Sequence, residues 1–306
     1  MRAMILAAGV GSRMQPVSDR WPKPALPILG RSLVARMVES LARQGVREVV
    51  VNTHVHAERL HEGLADAPVP ILYSHEPRLL GSGGGIQAAR AKLAGEGTFL
   101  VLNGDMQIDL DVDALLATHR RAGAMATMAL RDDPRKAEFG TIGFAGDPVV
   151  TRITQRIDLG GEQGSGLFTG VHAMEPEIFD HMPARSEFGI LEEVYIPLLR
   201  AGGTLGAWLQ PAGARWTPVG TPRELLEANL SALAEETGDP DGSWIGAGAQ
   251  VSEDARIGPR AVIGAGARVP DGAIVRDSLL LPGARLRAGA SLERAIAFGD
   301  RVWRDG

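Results

Sequence analysis

Short apolar runs alternate with longer amphipathic stretches from Met1 to about Glu236, and this alternation is the main signal in the chain. The apolar runs predict three buried strands, over Arg2–Ala7, Glu48–Asn52 and Thr98–Asn103. Apolar side chains at helical spacing predict two helices, over Ser32–Gln44 and Asp111–Arg121. Strands that alternate with helices favour an α/β fold with a mostly parallel sheet covered by helices on both faces.

A different pattern begins after the breaker-rich segment 238–242. Aliphatic side chains then recur at every sixth position, and an alanine follows each of the first five by four positions. The aliphatic series is Ile245, Val251, Ile257, Ile263, Val269, Val275 and Leu281. This period predicts a β-helix over 243–306, whose stacked coils bury the aliphatic ladder and whose last coil, after Leu281, is irregular. We therefore expect two domains, residues 1–237 and residues 243–306.

Composition and charge narrow the class of protein. The 306 residues include no Cys and carry a formal net charge of −5. The absence of Cys excludes disulfides and thiolate metal sites, and the acidic charge argues against nucleic acid or an anionic membrane surface as a partner. The first apolar run breaks at Gly9, which is too early for a signal peptide or a membrane span. We expect a cytoplasmic protein.

The loop after the first strand carries the first candidate chemistry. Gly9 and Gly11 allow backbone N–H groups to approach a phosphate closely, and Arg13 and Lys23 add two cations. Prolines on both sides of Lys23 predict an extended backbone there. The loop matches neither the Walker A pattern nor the glycine fingerprint of dinucleotide-binding folds.

Two further elements follow strands or open helices. A glycine run, Gly81 and Gly83–Gly85, precedes a predicted helix over Ile86–Leu93, where free N–H groups and a closely approaching backbone are expected together. Asp105 follows the strand Thr98–Asn103 and a glycine. A carboxylate in that position suits Mg²⁺, which proteins hold through one or two carboxylates together with phosphates.

The run LAAGVGSRMQP, which begins at Leu6, and the PKP that follows at Pro22 resemble the first motif of the sugar-1-phosphate nucleotidyltransferase superfamily. The resemblance covers residues 1–236, and the repeats that follow resemble the β-helix of the mannose-1-phosphate guanylyltransferase and glucose-1-phosphate nucleotidyltransferase branches. The resemblance implies a Rossmann-like fold with a left-handed β-helix at its C-terminus. It also implies transfer of a nucleoside monophosphate from an NTP to a sugar 1-phosphate, with mannose 1-phosphate and GTP as the leading pair, and Mg²⁺ as the cofactor.

The resemblance also assigns residues to roles. It implies that three residues act in catalysis, namely Arg13, Lys23 and Asp105, of which Asp105 is the metal ligand. The implied nucleotide-binding residues are Leu6, Ala7, Gly9, Gly11, Ser12, Arg13, Gly81, Gly83 and Gly84. The implied sugar-binding residues are Asn103, Gly140, Thr169 and Gly170, beside the aromatic residues Phe139 and Phe168.

Three positions depart from the family pattern. Pro218 stands where the family has its second metal carboxylate, and Gln155-Arg156 stands where it often has Glu-Lys. Glu192 and Glu193 are candidate replacements for the missing acid, although a solvated helix face explains them equally simply. The departures leave open a non-catalytic or regulatory NDP-sugar-binding protein, and the GGGI run leaves open a uridylyltransferase acting on another sugar 1-phosphate. The β-helix contains no His, which disfavours an acyltransferase; we expect it to form a homo-oligomer.

Overall fold

The computed structural model describes residues 1–95, 97–136, 140–146 and 148–305. The chain divides into two compact units. The first, here called the sheet unit, consists of Met1–Gly9, Met37–Ala57 and Leu64–Trp216. The second, here called the β-helix unit, consists of Val10–Arg36, Glu58–Gly63 and Thr217–Gly306. The loop that carries Arg13 and Lys23 therefore belongs to the same unit as the C-terminal repeats.

The helices are α1 (Leu33–Arg43), α2 (Ala57–Gly63), α3 (Gly81–Ala88), α4 (Arg90–Leu93), α5 (Val112–Ala122), α6 (Ile196–Arg200) and α7 (Pro222–Thr237). A π-helical turn, Leu191–Tyr195, leads into α6, and 3₁₀ turns cover Ser12–Met14, Val17–Asp19, Lys23–Ala25 and Pro176–His181. Within the described ranges, none of the helices has the length and apolar character needed to cross a membrane.

The strands that precede the repeats are β1 (Arg2–Leu6), β2 (Pro27–Ile28), β3 (Arg31–Ser32), β4 (Glu48–Thr53), β5 (Ile71–His75), β6 (Phe99–Asn103), β7 (Met106–Ile108), β8 (Ala126–Arg131), β9 (Ile142–Phe144), β10 (Val150–Ile153), β11 (Ile157–Asp158), β12 (Gly164–Met174), β13 (Leu205–Leu209) and β14 (Trp216–Pro218). Of these, β2 and β3 belong to the β-helix unit. The main sheet runs in the order β11-β10-β9-β12-β6-β1-β4-β5, and β8 joins β12 to β13. The predicted strands correspond to β1, β4 and β6, and the predicted helices to α1 and α5.

Four adjacent strands, β6, β1, β4 and β5, are parallel, and β5 forms one edge of the sheet. Most of β1, β4 and β6 is buried and apolar, as expected of strands covered on both faces, whereas β5 is mostly half-buried. Antiparallel pairing begins at β12, which lies beside β6. The mixed sheet with its helices confirms the α/β fold class.

The repeats form a β-helix, as predicted. Its strands are β15 (Ser243–Ile245), β16 (Gln250–Val251), β17 (Arg256–Ile257), β18 (Ala261–Ile263), β19 (Arg268–Val269), β20 (Ile274–Arg276), β21 (Ser278–Leu280), β22 (Ser291–Glu293), β23 (Ala295–Phe298) and β24 (Arg301–Arg304). Strands of successive coils pair in parallel, and β24 folds back antiparallel on β23.

The end of the aliphatic ladder differs from the prediction. Ile245 pairs with Ile263, but Ile263 pairs with Leu280 rather than Leu281. The second coil is one residue shorter than the first, because two residues connect Val275 to Ser278 whereas three connect Ile257 to Ala261. Leu280 therefore enters the interior of the β-helix, whereas Leu281 packs in a different cluster. The repeat does not fade after Leu281; it continues into a third coil with a shifted register.

That second cluster joins the first loop to the C-terminal part of the β-helix unit. It includes Met14, Leu26 and Leu33 from residues 10–36, several side chains of α7, and Leu281 and Ile296 from the coils. Asn229 of α7 is completely buried beside it. Its side chain accepts a hydrogen bond from Leu29 N–H at 3.0 Å and donates to the Pro27 carbonyl at 3.1 Å. The Asn229 amide thus provides hydrogen-bond partners for the Leu29 N–H and the Pro27 carbonyl of the β2–β3 hairpin.

A buried titratable pair lies in the core of the sheet unit. His172 on β12 has its Nδ1 atom 2.7 Å from the hydroxyl of Tyr195, and both side chains are buried. Burial lowers the pKa of His172 to about 3 and raises the pKa of Tyr195 well above its ordinary value. Both groups are therefore neutral in the folded protein at neutral pH.

We predict that Asn229→Ala lowers the free energy of unfolding by about 2–3 kcal/mol, because it leaves the Leu29 N–H and the Pro27 carbonyl buried without partners. Chemical denaturation at 25 °C measures the change. Glu236→Ala is the matched control on the same helix, since it removes a partly exposed ion pair with Arg36. The control should cost less than about 1 kcal/mol; equal losses in the two variants would contradict the role given to Asn229.

We predict that His172 makes the protein sensitive to acid. Its pKa is about 3 when folded and about 6.5 when unfolded, so only the unfolded state takes up a proton as the pH falls below 6.5. Stability is therefore lost between about pH 6.5 and pH 3. The free-energy advantage of the native chain over His172→Gln, whose side chain does not titrate, should shrink by about 2 kcal/mol between pH 7 and pH 5. A constant difference across that range would contradict the prediction.

Candidate active site

The carboxyl ends of β6, β1, β4 and β5 lie at one edge of the sheet, because these strands are parallel. Leu6 is paired with Asn103 at this edge, so Ala7, Gly9 and Asp105 leave the sheet side by side. Gly104 N–H donates to the Leu6 carbonyl at 2.9 Å and holds the turn that carries Asp105 against β1. The structure thus brings together the sequence-predicted residues that follow β1 and β6.

Asn103 and Gly170 are in direct contact in the same unit. Gly170 has a φ of 87°, and a Cβ atom built on it would lie 2.5 Å from Nδ2 of Asn103. Glycine is therefore required at position 170 both for its backbone conformation and for the close approach of Asn103. Asn103 itself is exposed, which leaves it accessible to a ligand.

Thr169 is placed differently from the other predicted sugar residues. Its hydroxyl donates to the Ala129 carbonyl at 2.8 Å and the side chain is buried, so it points into the sheet. Its carbonyl accepts a hydrogen bond from the indole N–H of Trp216 at 3.0 Å. Trp216 therefore holds the backbone of this segment in place. The guanidinium of Arg135 lies 4.9 Å from the centre of the Trp216 ring.

The side chain of Arg135 also fixes a buried carboxylate beside Trp216. It donates two hydrogen bonds to Asp133, at 2.8 and 2.9 Å. These bonds, with help from Arg131, lower the pKa of Asp133 to about 2 despite its burial. Asp133 is therefore ionised, and its carboxylate holds the side chain of Arg135 in place in the segment that leads to Lys136.

The glycine run is arranged differently from the sequence prediction. Helix α3 begins at Gly81 rather than Ile86, and the helical path is interrupted between Ala88 and Arg90. The N–H groups of Gly83 and Gly84 are not free, because both donate to the Phe188 carbonyl, at 3.0 and 3.2 Å. A Cβ atom at Gly83 would overlap the Phe188 ring. These two glycines admit the neighbouring segment 186–190, a packing requirement that sequence reasoning did not reveal.

In the β-helix unit, the first loop buries Lys23 beneath Gly11. Lys23 is only 9% exposed, and a Cβ atom at Gly11 would lie 3.1 Å from its Cγ. Gly11 has a φ of 66°, which also favours glycine. Lys23 does not have the extended backbone that the prolines predicted. It begins a 3₁₀ turn, because Ala25 and Leu26 donate to the carbonyls of Pro22 and Lys23.

Arg13 lies beside the segment that contains Pro218. The side chain is exposed, and its guanidinium is 3.3 Å from the position that a Cβ atom on Gly220 would occupy. Gly220 N–H donates to Glu224 at 2.7 Å, and the hydroxyl of Thr221 caps α7 by accepting from Glu224 N–H. The first loop and the segment 217–222 thus meet at Gly220. Pro218 lies two residues from that contact.

A cationic pocket of about 600 Å³ lies around Gly140 in the sheet unit. Among the described residues, its lining includes no carboxylate and consists of Lys136, Gly140, Thr141, Arg152, Thr154, Gln155 and Arg156. Arg152 pairs with Glu162 at 2.6 Å, and Arg156 lies 3.4 Å from Glu192. Glu193 pairs with Arg185 instead. Phe139, predicted to lie on the sugar side, is outside the described residues.

Two further residues were missed by the sequence analysis. Asn52 at the end of β4 and Glu76 just after β5 are polar, buried and hydrogen-bonded to each other at the carboxyl edge. The sequence feature that could have identified them is their position at the ends of strands. In the described ranges, no group of three or more acidic or histidine side chains has an arrangement that could hold a metal ion on its own.

The chain is similar in sequence to several known sugar-1-phosphate nucleotidyltransferases. The chain is 34% identical over 241 residues to N-acetylmuramate alpha-1-phosphate uridylyltransferase of Neisseria meningitidis, a match that covers 76% of this chain and 99% of that protein. It is 28% identical to UTP--glucose-1-phosphate uridylyltransferase of Synechocystis, covering 77% of this chain and 64% of that one. It is 29% identical to mannose-1-phosphate guanylyltransferase of Mycobacterium tuberculosis, covering 74% and 63%. The chain thus spans less than two thirds of the last two proteins.

Among solved structures, HddC from Yersinia pseudotuberculosis has a TM-score of 0.62 at 24% identity, over 75% of this chain and 98% of that one, which supports the fold. The hexapeptide-repeat family of bacterial transferases matches residues 240–271, consistent with a left-handed β-helix. The nucleotidyl transferase family model matches residues 2–235. On this match, which covers most of the sequence, the chain belongs to the nucleotidyl transferase family.

Proposed function

We propose that this protein transfers a nucleoside monophosphate from an NTP to a sugar 1-phosphate and releases pyrophosphate. The observation that carries the proposal is the convergence of Ala7, Gly9 and Asp105 at the carboxyl edge of the parallel strands, in a chain that matches the nucleotidyl transferase family over residues 2–235. Ligands of open α/β sheets bind at that edge. We assign the transfer to residues 1–237 and treat 243–306 as the β-helix domain.

The reaction forms a bond between a phosphate oxygen of the sugar 1-phosphate and the α-phosphorus, and it breaks the bond from that phosphorus to the oxygen bridging to the β-phosphate. The second pKa of a phosphate monoester is about 6, so the attacking oxygen is already ionised at neutral pH and needs no general base. The protein therefore has to position two anions and neutralise their charge. We assign Arg13 to the departing pyrophosphate and Lys23 to the α-phosphate and the sugar phosphate.

For the nucleotide, we propose that the backbone of Leu6, Ala7, Gly9, Gly11 and Ser12 follows the triphosphate. Gly81, Gly83 and Gly84 form the segment proposed to bind the base. Because Gly83 and Gly84 are buried against the segment 186–190 and donate their N–H groups to the Phe188 carbonyl, we propose that they act by letting that segment pack closely, and that Gly81 is the exposed member of the three.

A Mg²⁺ ion fits this site only in company with the substrate. Asp105 is half-buried at the end of β6 and supplies one carboxylate, whereas Pro218 has no ligating group. Magnesium is often held by one carboxylate, phosphate oxygens and water. We propose that Asp105 would hold such an ion, whose chemistry is to neutralise phosphate charge.

The sugar side has two candidate substrates. The first is mannose 1-phosphate, with GTP as the nucleotide donor, held between Asn103, Gly140, Thr169 and Gly170. The second is a sugar 1-phosphate that carries a further negative charge, such as N-acetylmuramate 1-phosphate, with UTP. The second is supported by the 34% identity to N-acetylmuramate alpha-1-phosphate uridylyltransferase over 99% of that protein. The cations that line the pocket around Gly140 do not add to this support, because Lys136, Arg152 and Arg156 are each paired with a carboxylate.

We also propose that the protein forms a homo-oligomer through the β-helix. Ile245 of the first coil is 54% exposed, whereas its neighbour Ile263 in the second coil is fully buried. Within the part of the chain that the structure describes, β15, β16 and β17 pair on one side only. An apolar coil with open strand edges is a surface that solenoid proteins cover, and a second copy presents the same edges with two-fold symmetry.

Pyrophosphate release tests the proposed function. The four combinations of GTP or UTP with mannose 1-phosphate or N-acetylmuramate 1-phosphate should include at least one that turns over, with kcat/KM at least about tenfold above the others, as one well-placed charged contact provides. Binding of an NDP-sugar, measured by calorimetry, with no turnover across a wider panel of sugar 1-phosphates would instead favour the non-catalytic protein.

We predict that Lys23→Met lowers kcat/KM by about 10²–10³, the effect of losing one preorganised charge. Methionine keeps the buried stem that packs beneath Gly11, so the loop should retain its shape. Arg20→Ala is the control, because it removes an exposed cation from the same loop and should change kcat/KM less than threefold, about 0.6 kcal/mol. Near-native turnover by Lys23→Met would remove Lys23 from the mechanism.

A further inference from the structure

A chain of three hydrogen bonds runs beneath the carboxyl edge of the sheet. Ala7 N–H donates to Oδ1 of Asn52 at 2.5 Å, and Nδ2 of Asn52 donates to Oε1 of Glu76 at 2.7 Å. The other carboxylate oxygen of Glu76 accepts from Leu80 N–H at 3.0 Å. The chain begins at the start of the first loop and ends at the residue that precedes the glycine run.

Both side chains in this connection are buried. Asn52 is 3% exposed and Glu76 is 1% exposed. Gly85 of α3 closes over them, since a Cβ atom there would lie 2.8 Å from Oε1 of Glu76 and 3.0 Å from Nδ2 of Asn52. Burying a carboxylate is costly unless it is well hydrogen-bonded. An apolar pair at this place would leave the N–H groups of Ala7 and Leu80 without these acceptors, so the polar pair ties the two backbone segments together.

The positions of the donors and acceptors determine which side chains can form this connection. Ala7 and Leu80 each offer an N–H, so both ends of the connection must be acceptors. An amide next to a carboxylate meets that requirement, because the amide supplies one acceptor outward and one donor inward. The pair therefore fixes the distance between the backbone of Ala7 and the backbone of Leu80.

We infer that Asn52 and Glu76 are positioning residues that set the spacing between the start of the first loop and the glycine run. This inference rests on the proposed function, in which Ala7 lies along the triphosphate and Gly81 begins the segment proposed to bind the base. A nucleotide has a fixed length between its base and its phosphates, so the two segments bind it together only at the correct separation. Asn52 and Glu76 touch neither substrate and act through the backbone.

Exchanging the two functional groups tests the inference. Glu76→Gln turns an amide donor toward either Asn52 or Leu80, and Asn52→Asp sets two carboxylates against each other. The double variant Asn52→Asp/Glu76→Gln restores all three hydrogen bonds. In it, the new carboxylate at position 52 would accept from Ala7 N–H and from the new amide at position 76, whose oxygen accepts from Leu80 N–H. Volume and net charge are unchanged in the double variant.

We expect each single variant to raise the KM for the NTP by about 10- to 100-fold, with kcat per folded molecule changed less than threefold. The double variant should return KM to within threefold of the native value. Thr98→Val is the control: it removes a 2.6 Å hydrogen bond to the Glu175 carboxylate at the other end of β6 and should lower stability with KM unchanged. An unchanged KM in the single variants, or no recovery in the double variant, would overturn the inference.

Hydrogen exchange of residues 5–9 and 76–88 separates this inference from the proposed function. Exchange should accelerate in both single variants and return to the native rate in the double variant, whether or not the protein turns over any substrate. Absence of turnover in the native chain would therefore defeat the proposed function alone. Unaltered exchange in the single variants would defeat the positioning role alone.

A variant that fails to fold does not remove the test. Should the double variant be unfolded by circular dichroism, the two single variants decide. Native exchange rates at residues 5–9 and 76–88 in both, with the KM for the NTP unchanged, would overturn the inference.

Discussion

Backbone N–H groups that follow the carboxyl ends of parallel strands have no neighbouring strand to bond with and need other hydrogen-bond partners. They lie in the same region that a ligand must enter. In this protein two buried side chains supply the partners: the Asn52 amide accepts a hydrogen bond from Ala7 N–H, and the Glu76 carboxylate accepts one from Leu80 N–H. The edge above them is left open for the residues proposed to bind substrate. Gly85, Gly170 and the turn at Gly104 all follow from the close approach of chain segments around this edge.

Much of the fold could be predicted from the sequence because it depends on periodic features. The buried strands β1, β4 and β6, the helices α1 and α5, and the six-residue repeat all follow from the spacing of apolar side chains. The end of the ladder could not be predicted, since Leu280 and Leu281 are equally apolar, and a corner shorter by one residue decides which of them faces inward. Periodicity identifies the element, but corner geometry sets its register.

Prediction of the candidate site was limited in a different way. Residues next to strand ends, such as Asp105, could be identified because their place in the fold follows from the local pattern. The surroundings of Gly83 and Thr169 depend on residues distant in sequence, namely Phe188 and Ala129. At Lys23 the local backbone forms a 3₁₀ turn that the flanking prolines did not predict. The partnership of Asn52 with Glu76 is of the same kind, since it arises only when β4 and β5 are placed side by side.

The cluster that unites Met14 and Leu26 with Leu281 and Ile296 also bears on how such a protein can vary over generations. A tail that shared no core with the first loop could be exchanged or lost with little effect on that loop. Here the coils and the first loop must change together, because a substitution in one of them alters the volume available to the side chains of the other. Chimeras with a foreign repeat tail would have to carry the native side chains of this cluster.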